Sequence, residues 1–122
     1  MSSIQTCKNL LVWQEAMNLV VAVYRQTKTF PREETYGLTS QTQRAAVSIP
    51  ANIAEGNGRK STIEYLNFLS IANGSFLELQ THLLIAERLE YLSADEMSAL
   101  QIQLDTVGRL LTGSRKSLQK EH

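Results

Sequence analysis

The chain has 122 residues, of which 43% are hydrophobic and 20% charged. This length suits a single folded domain, and the composition excludes a disordered chain and a membrane-spanning one. Twelve basic residues balance twelve acidic ones, which argues against a generic polyanion binder. Cys7, the single cysteine, cannot form an internal disulfide. Residues 1–10 have no apolar signal-peptide core and no window reaches the ~20 apolar residues of a spanning helix, so we expect neither a secretion signal nor a membrane span. We therefore expect a cytoplasmic protein with a free thiol.

Four segments repeat apolar residues at the helical period, over about residues 10–29, 37–55, 62–90 and 94–118. The first segment carries two apolar sets, which indicates burial on two faces. These sets are Trp13, Met17, Val20 and Tyr24, and Val12, Ala16, Leu19 and Val23. Phe30-Pro31 ends this segment, because the residue before a proline is pushed out of the α region.

The second segment contains Pro50, which removes one helical hydrogen bond and predicts a kink, and we expect Gly56-Asn57-Gly58 to end it. The third and fourth segments begin with the capping boxes Ser61-Thr62-Ile63-Glu64 and Ser93-Ala94-Asp95-Glu96. The third also keeps a seven-residue apolar spacing, which is typical of supercoiled packing.

Short connections between the segments predict that successive helices are antiparallel neighbours. The sequence therefore predicts an all-α, up-down-up-down antiparallel four-helix bundle that forms a single domain over residues 1–122. The apolar stripes predict buried side chains for Trp13, Ile49, Phe76, Leu83, Leu104 and Leu111.

Few residues offer catalytic or metal-binding chemistry. A di-iron bundle needs carboxylates from four helices and two Glu-x-x-His pairs. Here His82 follows Glu78 by four residues, and the middle of the fourth helix offers only Asp105. We interpret His82 and Glu78 as a solvated pair on a helix face. His122 is terminal, so a catalytic relay has no second histidine, and we predict no enzyme activity, metal or cofactor.

Three short motifs have structural interpretations. Ser117-Leu118-Gln119-Lys120 matches S-x-x-K without an oxyanion hole, and Asn73-Gly74-Ser75 indicates small residues that permit close helix approach. Residues 56–60, Gly56-Asn57-Gly58-Arg59-Lys60, form a helix-ending turn. Contact with a phosphate is the alternative, because two cations and a helix N-terminus follow the glycines.

Charge is distributed unequally between the two ends of the predicted bundle. One end, the basic pole, carries a net charge of +3, and the other, the acidic pole, carries −2. The basic pole contains Lys8, Arg59, Lys60, Arg109, Arg115, Lys116 and Lys120, with Glu15, Glu55, Glu64 and Glu121. The acidic pole contains Arg25, Lys28, Arg32 and Arg88, with Glu33, Glu34, Glu87, Glu90, Asp95 and Glu96. In a monomer this asymmetry is ordinary scatter.

One run of sequence is recognisable. Residues 44–56 read RAAVSIPANIAEG and precede Gly58-Arg59, with further matches in LVWQEA at 11–16, YGLTS at 36–40, Gly74-Ser75 and LLIA at 83–86. This pattern resembles the bacterial 23S rRNA intervening-sequence protein family, also called S23 ribosomal proteins. Its motif residues here are Arg44, Pro50, Asn52, Glu55 and Gly56.

The resemblance implies a four-helix bundle that forms a homopentamer and has no enzyme activity. The family is similar to the accessory protein of diversity-generating retroelements, a pentamer that binds a reverse transcriptase and nucleic acid. This chain differs from that relative by its neutral charge, and it has Asn73 and Gln80 where arginine and glutamate are expected. The Val12 set on the first helix indicates apolar surface that other copies could cover.

Together these observations predict a non-enzymatic oligomeric adaptor that binds RNA or a nucleoprotein weakly. Five parallel copies would carry about +15 on one face and about −10 on the other. The predicted RNA contacts are Lys8, Arg59, Lys60, Arg115, Lys116 and Lys120. The alternatives are a protein–protein scaffold without nucleic-acid binding, and a cofactor-binding or metal-binding bundle.

Overall fold

Four α-helices account for most of the chain. A computed structural model describes residues 7–121, so His122 lies outside the described residues. The helices are α1, Leu11–Thr27; α2, Leu38–Asn57; α3, Thr62–Arg88; and α4, Ala94–Glu121. A short 3₁₀ turn, Arg32–Glu34, lies between α1 and α2. The four predicted helices are confirmed, with ends that differ by up to three residues.

Each helix packs against two neighbours, α1 against α2 and α4, and α3 against the same two helices. The contact between α2 and α3 is the most extensive. No strand occurs in residues 7–121, and no helix of these residues is long and apolar enough to cross a membrane. The all-α antiparallel bundle is therefore confirmed.

The core consists of the inward stripes of all four helices. Ile49, Phe76, Leu83, Leu104 and Leu111 are buried as predicted. The seven-residue spacing in α3 also holds, because its members from Leu69 to Ala86 are buried. Burial of this apolar surface is the main favourable term in the stability of the bundle.

The prediction that the Val12 set of α1 is apolar surface for other copies to cover is wrong. The core-facing side chains of α1 are Val12, Ala16, Leu19 and Val23, so this set is covered within one chain and leaves nothing for a partner. Trp13 is only half-buried, whereas Met17 and Tyr24 are exposed. The two sets are equally apolar, and the neighbouring helices α2 and α4 decide which of them faces inward.

Helix α2 ends within the predicted Gly56-Asn57-Gly58 run, two residues beyond the expected bound at Glu55. It continues as α-helix through the buried Pro50 and through Gly56 to Asn57, and Gly58 caps it with an ordinary right-handed φ of −83°. Gly56 therefore does not end the helix. A Cβ at this position would lie 2.7 Å from the Phe68 Cβ, so the glycine is required by the close approach of α2 and α3.

The two capping boxes differ in completeness. At the start of α4, the Glu96 amide donates to the Ser93 hydroxyl at 3.0 Å, and the Ser93 amide donates to the Glu96 carboxylate at 2.8 Å. At the start of α3, the Glu64 amide donates to Ser61 at 3.1 Å, which satisfies one of the free helix donors. Both predicted starts are therefore capped by their serines.

Candidate nucleic-acid interface

The ends of all four helices that form the basic pole meet around one cleft. This cleft of about 450 Å³ is lined by Leu10 before α1, Asn57 at the end of α2, Tyr65 near the start of α3, and Leu118 near the end of α4. The antiparallel order of the helices thus brings together the chain segments on which the predicted basic residues lie.

Several predicted cations extend from this end into solvent. Lys8, Lys60, Lys116 and Lys120 are exposed, and Arg115 is half-buried. None of these five forms an ion pair with a carboxylate within the described part of the chain. Their positive charges are therefore not compensated by direct pairing with a described carboxylate.

Arg59 has a different environment. Its guanidinium is paired with the Glu55 carboxylate one helical turn earlier, and it lies 4.8 Å from the centre of the Phe68 ring. The Glu55 carboxylate attracts the guanidinium by its negative charge, and the Phe68 ring attracts it through its quadrupole, so both hold Arg59 in this position. An RNA phosphate would have to compete with Glu55, so Arg59 is a weaker candidate than the four exposed lysines.

The residues of the family motif mostly build the seam between α2 and α3. The Asn52 amide donates to the Ser48 carbonyl at 2.8 Å and to the Ser48 hydroxyl at 2.9 Å. That hydroxyl lies 2.8 Å from the Ser75 hydroxyl across the seam. Gly56 permits the close contact, and Arg44 is exposed. The motif therefore specifies packing of two helices.

The interpretation of Asn73-Gly74-Ser75 as a close-approach site is wrong for its glycine. Gly74 is exposed, and a Cβ there would meet nothing within 4 Å. Ser75 supplies the contact with α2 through its hydroxyl. Asn73 instead lines a groove between α3 and α4.

His82 is buried rather than solvated, which corrects the interpretation made from its spacing. Only 8% of the residue is exposed, and its Nε2 lies 3.8 Å from the exposed Glu78 carboxylate. Its Nδ1 has no hydrogen-bond partner among residues 7–121. Those residues also contain no group of three or more possible metal ligands.

The cleft at the basic pole combines apolar walls with hydrogen-bond donors. Leu10, Leu110 and Leu118 pack against the core and line the cleft together with the hydroxyl-bearing Ser114 and Ser117. Arg109 also lines the cleft, and no acidic residue is among its lining. Nothing in the sequence indicated this cleft, because its residues come from four separate segments of the chain.

Asn57 and Tyr65 are half-buried polar residues that line the cleft. The Asn57 Nδ2 is enclosed and has no acceptor within the described chain. Burial raises the pKa of the Tyr65 hydroxyl, and the nearby Cys7 thiol raises it further. Burial also raises the pKa of Cys7. At neutral pH both groups are therefore protonated, and the tyrosine is available as a hydrogen-bond donor.

Apolar side chains remain exposed on two other surfaces. On α1 they are Met17, Val21 and Tyr24, which are 39%, 46% and 42% exposed. Between α3 and α4 a groove of about 990 Å³ has Leu77 and Ile102 along its length. Exposed apolar side chains that lie close together are a common feature of interaction surfaces.

The architecture defines a class: an all-α four-helix bundle with a basic end and exposed apolar faces. Residues 8–113 match the family model for the 23S rRNA-intervening sequence protein. The chain belongs to this family, which confirms the resemblance carried by residues 44–56.

A solved structure supports the same fold. The crystal structure of a protein with unknown function from the S23 ribosomal protein family of Bacteroides thetaiotaomicron VPI-5482 has a TM-score of 0.78 and 22% sequence identity to this chain. The match covers 87% of this chain and 99% of the other. No curated protein matches the sequence significantly.

Proposed function

We propose that the protein is a non-enzymatic, cytoplasmic adaptor that assembles into a homo-oligomer and binds RNA through its basic pole. The observation that carries this proposal is the group of exposed lysines near the helix ends that form the basic pole, which are Lys8, Lys60, Lys116 and Lys120. Unpaired cations at one end of the bundle attract phosphates without reading their sequence.

Assembly into a ring strengthens the positive electrostatic field of the basic pole. The exposed apolar face of α1 and the groove between α3 and α4 lie on different sides of the bundle, and a ring joins two such different faces of each copy. With the bundle axes parallel, all basic poles lie on one side of the ring. Their summed charge then steers a polyanion, whereas the charge of one chain is too small.

Binding of structured RNA at about 50 mM and about 200 mM salt tests the proposal. The variant Lys60→Gln/Lys116→Gln/Lys120→Gln removes three exposed charges from the basic pole. The control Lys28→Gln removes one charge at the acidic pole, where Lys28 is also exposed. We expect weak binding by the wild type, a steep loss of affinity with salt, and a shallower salt dependence for the triple variant.

Three further results decide whether the basic pole binds RNA. Arg59→Glu/Lys60→Glu reverses two charges and also breaks the pair of Arg59 with Glu55, so we expect weaker binding than the wild type. Equal affinities of wild type and both basic-pole variants would contradict RNA binding at this end. Absence of binding at low salt would favour the alternative, a scaffold that contacts proteins alone.

A further inference from the structure

The outward face of α1 and the groove between α3 and α4 complement each other across two copies of the chain. We infer that α1 of one copy lies in the α3–α4 groove of the next copy, with the bundle axes parallel and without displacement along them. This pairing rests on the proposed homo-oligomer and deepens it, because it names the two surfaces that meet, their relative direction and their register.

The outward face of α1 carries apolar side chains with no charge among them. Met17, Val21 and Tyr24 are exposed in a single chain, and residues 16–24 contain no charged side chain. The core of the same chain is already supplied by another face of this helix. A helix with such an uncovered apolar face is the kind of element that enters a hydrophobic groove on a partner.

The groove between α3 and α4 offers apolar side chains and space to a second helix. Its volume is about 990 Å³. Leu77 and Ile102 line it and are 54% and 71% exposed. Gly113 lines it as well, and a Cβ at this position would meet nothing within 4 Å. Side chains of another copy can therefore enter the groove without displacing residues of this chain.

The apolar side chains of the two surfaces lie at matching heights along the bundle. The Gln26 side chain donates to the Glu96 carboxylate, so these residues mark one level on α1 and α4. With a rise of about 1.5 Å per residue, Val21 lies about 7.5 Å from this level toward the basic pole. Ile102 lies about 9 Å from it in the same direction. Val21 of one copy therefore reaches Ile102 of the next without an axial displacement.

A second pair of residues gives the same register. Phe76 of α3 contacts Gly108 of α4, which lies about 18 Å from the level of Glu96. Leu77 follows Phe76 and lies about 16.5 Å from that level, and Met17 lies about 13.5 Å from it. Copies related by rotation alone have no axial displacement, so matching heights are what a closed ring requires. A displacement would instead extend the assembly into a filament.

Charge complementarity decides the relative direction of the two copies. At the acidic pole, the outward face of α1 ends with the exposed cations Arg25 and Lys28. With parallel axes they lie at the pole where the next copy carries Asp95 in the first turn of α4. With antiparallel axes they would approach Arg109 and Lys116 in the groove, and like charges repel. The charges therefore favour parallel axes.

Two variants, each with one altered surface, test the pairing. The α1 variant is Met17→Glu/Tyr24→Glu, and the groove variant is Leu77→Glu/Ile102→Glu. All four side chains are exposed in a single chain, so both variants should fold. We expect each variant alone to sediment as a monomer at micromolar concentration. Mixed in equal amounts, they should form a 1:1 dimer and nothing larger, because only one intact α1 face and one intact groove are then available.

The matched control places the same charges on exposed aliphatic positions of α3 outside the groove. Ile63→Glu/Ile71→Glu changes two side chains that are about as exposed as Leu77 and that do not line the groove. This variant should assemble like the wild type. Assembly by the groove variant alone would overturn the pairing, and so would a mixture of the α1 and groove variants that stays monomeric or grows beyond a dimer.

Cysteine cross-linking in the mixed dimer measures the register. The groove variant receives Val21→Cys and the α1 variant receives Ile102→Cys, whereas the native Cys7 is buried. We expect oxidation to join the two chains covalently. Arg109→Cys in place of Ile102→Cys lies about 10 Å nearer the basic pole, beyond the reach of a disulfide, and should give no product. Absence of the Ile102→Cys product, or a larger yield with Arg109→Cys, would overturn the register.

The outcomes distinguish this pairing from the proposed function. The α1 and groove variants keep every lysine of the basic pole, so RNA binding at low salt is measured separately from assembly. A wild type that assembles while the groove variant also assembles would overturn the pairing and leave RNA binding by the basic pole intact. An assembled wild type that binds no RNA would contradict the adaptor proposal alone. A wild-type monomer would contradict the homo-oligomer and the pairing together.

Discussion

At the scale of single residues, Glu90 is the one described non-glycine residue with positive φ, at 65°. It follows the C-terminus of α3, where the Tyr91 amide donates to the Ala86 carbonyl at 2.8 Å and the Glu90 amide donates to the Glu87 carbonyl at 2.9 Å. These two bonds form a Schellman motif, whose left-handed position usually holds glycine. Glutamate there is strained because its Cβ approaches the following carbonyl.

Replacement of Glu90 by glycine is therefore expected to stabilise the protein. We predict that Glu90→Gly raises the free energy of unfolding by about 1 kcal/mol, measured by urea denaturation. The control Arg88→Gly, in the right-handed last turn of α3, should lower it by about 0.5–1 kcal/mol. A loss of stability in both variants would show that the left-handed position carries no strain.

Glu96 makes the stability of the acidic pole depend on pH. Its carboxylate accepts hydrogen bonds from the Ser93 amide at 2.8 Å and from the Gln26 side chain at 2.9 Å. These bonds lower the pKa of Glu96 below its usual 4.5. The folded chain thus binds this proton less readily than the unfolded one, so the stabilisation is present above pH 4.5 and is lost as the pH falls through the folded pKa.

The prediction concerns Glu96→Gln, which cannot titrate. It should be less stable than the wild type at neutral pH, and the difference between the two proteins should shrink as the pH falls below 4.5. Urea denaturation over a pH series measures this difference. Glu33→Gln, an exposed substitution of the same kind near the same end, is the control. A difference that stays constant with pH would contradict the assigned hydrogen bonds.

At the scale of helices, the contact of α2 with α3 depends on Gly56. An added Cβ would lie 2.7 Å from the Phe68 Cβ, 3.0 Å from the Tyr65 ring and 3.3 Å from the Tyr65 carbonyl. Backbone and Cβ atoms cannot turn aside, so the two helices would have to separate. Gly74 in α3 has no such neighbours within 4 Å.

The two glycines provide a matched pair of alanine substitutions. We expect Gly56→Ala to destabilise the bundle by about 1–3 kcal/mol through overpacking. Gly74→Ala should stabilise it by about 0.5–1 kcal/mol, because alanine has the higher helix propensity. Thermal and urea unfolding measure both changes. Stabilisation of similar size in the two variants would mean that the helix seam accommodates a methyl group.

Phe76 joins α3 to α4 in the core. The residue is 7% exposed, and its ring occupies the space that a side chain at Gly108 would need, with the Cζ atom 2.9 Å from the position of a Cβ there. Phe76→Ala should lower the free energy of unfolding by about 3–5 kcal/mol, as expected for emptying a core aromatic site. A loss below 1 kcal/mol in urea denaturation would show that the ring contributes little to the core.

At the scale of the whole molecule, exposed apolar surface leads to a prediction about assembly. Met17→Glu/Tyr24→Glu introduces two charges on the outward face of α1, where both side chains are exposed in a single chain. We expect the wild type to sediment as an oligomer at micromolar concentration and the variant as a folded monomer. The expected number is five, as the resemblance to the family implies.

The control for assembly is Asn18→Glu, which introduces a charge at an exposed polar position of the same helix. It should leave the oligomer intact. Circular dichroism verifies that the double variant keeps its helices. A wild-type monomer, or a double variant that assembles normally, would exclude the outward face of α1 from the interface.

The fold could be predicted from the sequence because its determinants are local and periodic. Apolar stripes, serine caps and short connections lie within single segments, and Ser61, Ser93 and the heptads of α3 needed no tertiary information. The same holds for the two poles, because antiparallel order alone determines which helix ends meet. RAAVSIPANIAEG over residues 44–56 likewise identified the family before the helices were known.

Other features depended on which side of each helix is covered. The sequence could not show which of the two apolar sets on α1 faces the core, because the positions of α2 and α4 decide this. Gly56 suggested a turn, although it serves a close contact between two helices. The cleft at the basic pole joins Leu10, Asn57, Tyr65 and Leu118 across more than a hundred residues. Sequence by itself determined helices, their order and the charge of each end, because these follow from neighbours along the chain. Only the tertiary structure decided the buried faces, the pairing of Arg59 and the enclosure of Asn57, because these depend on side chains that distant segments bring into contact.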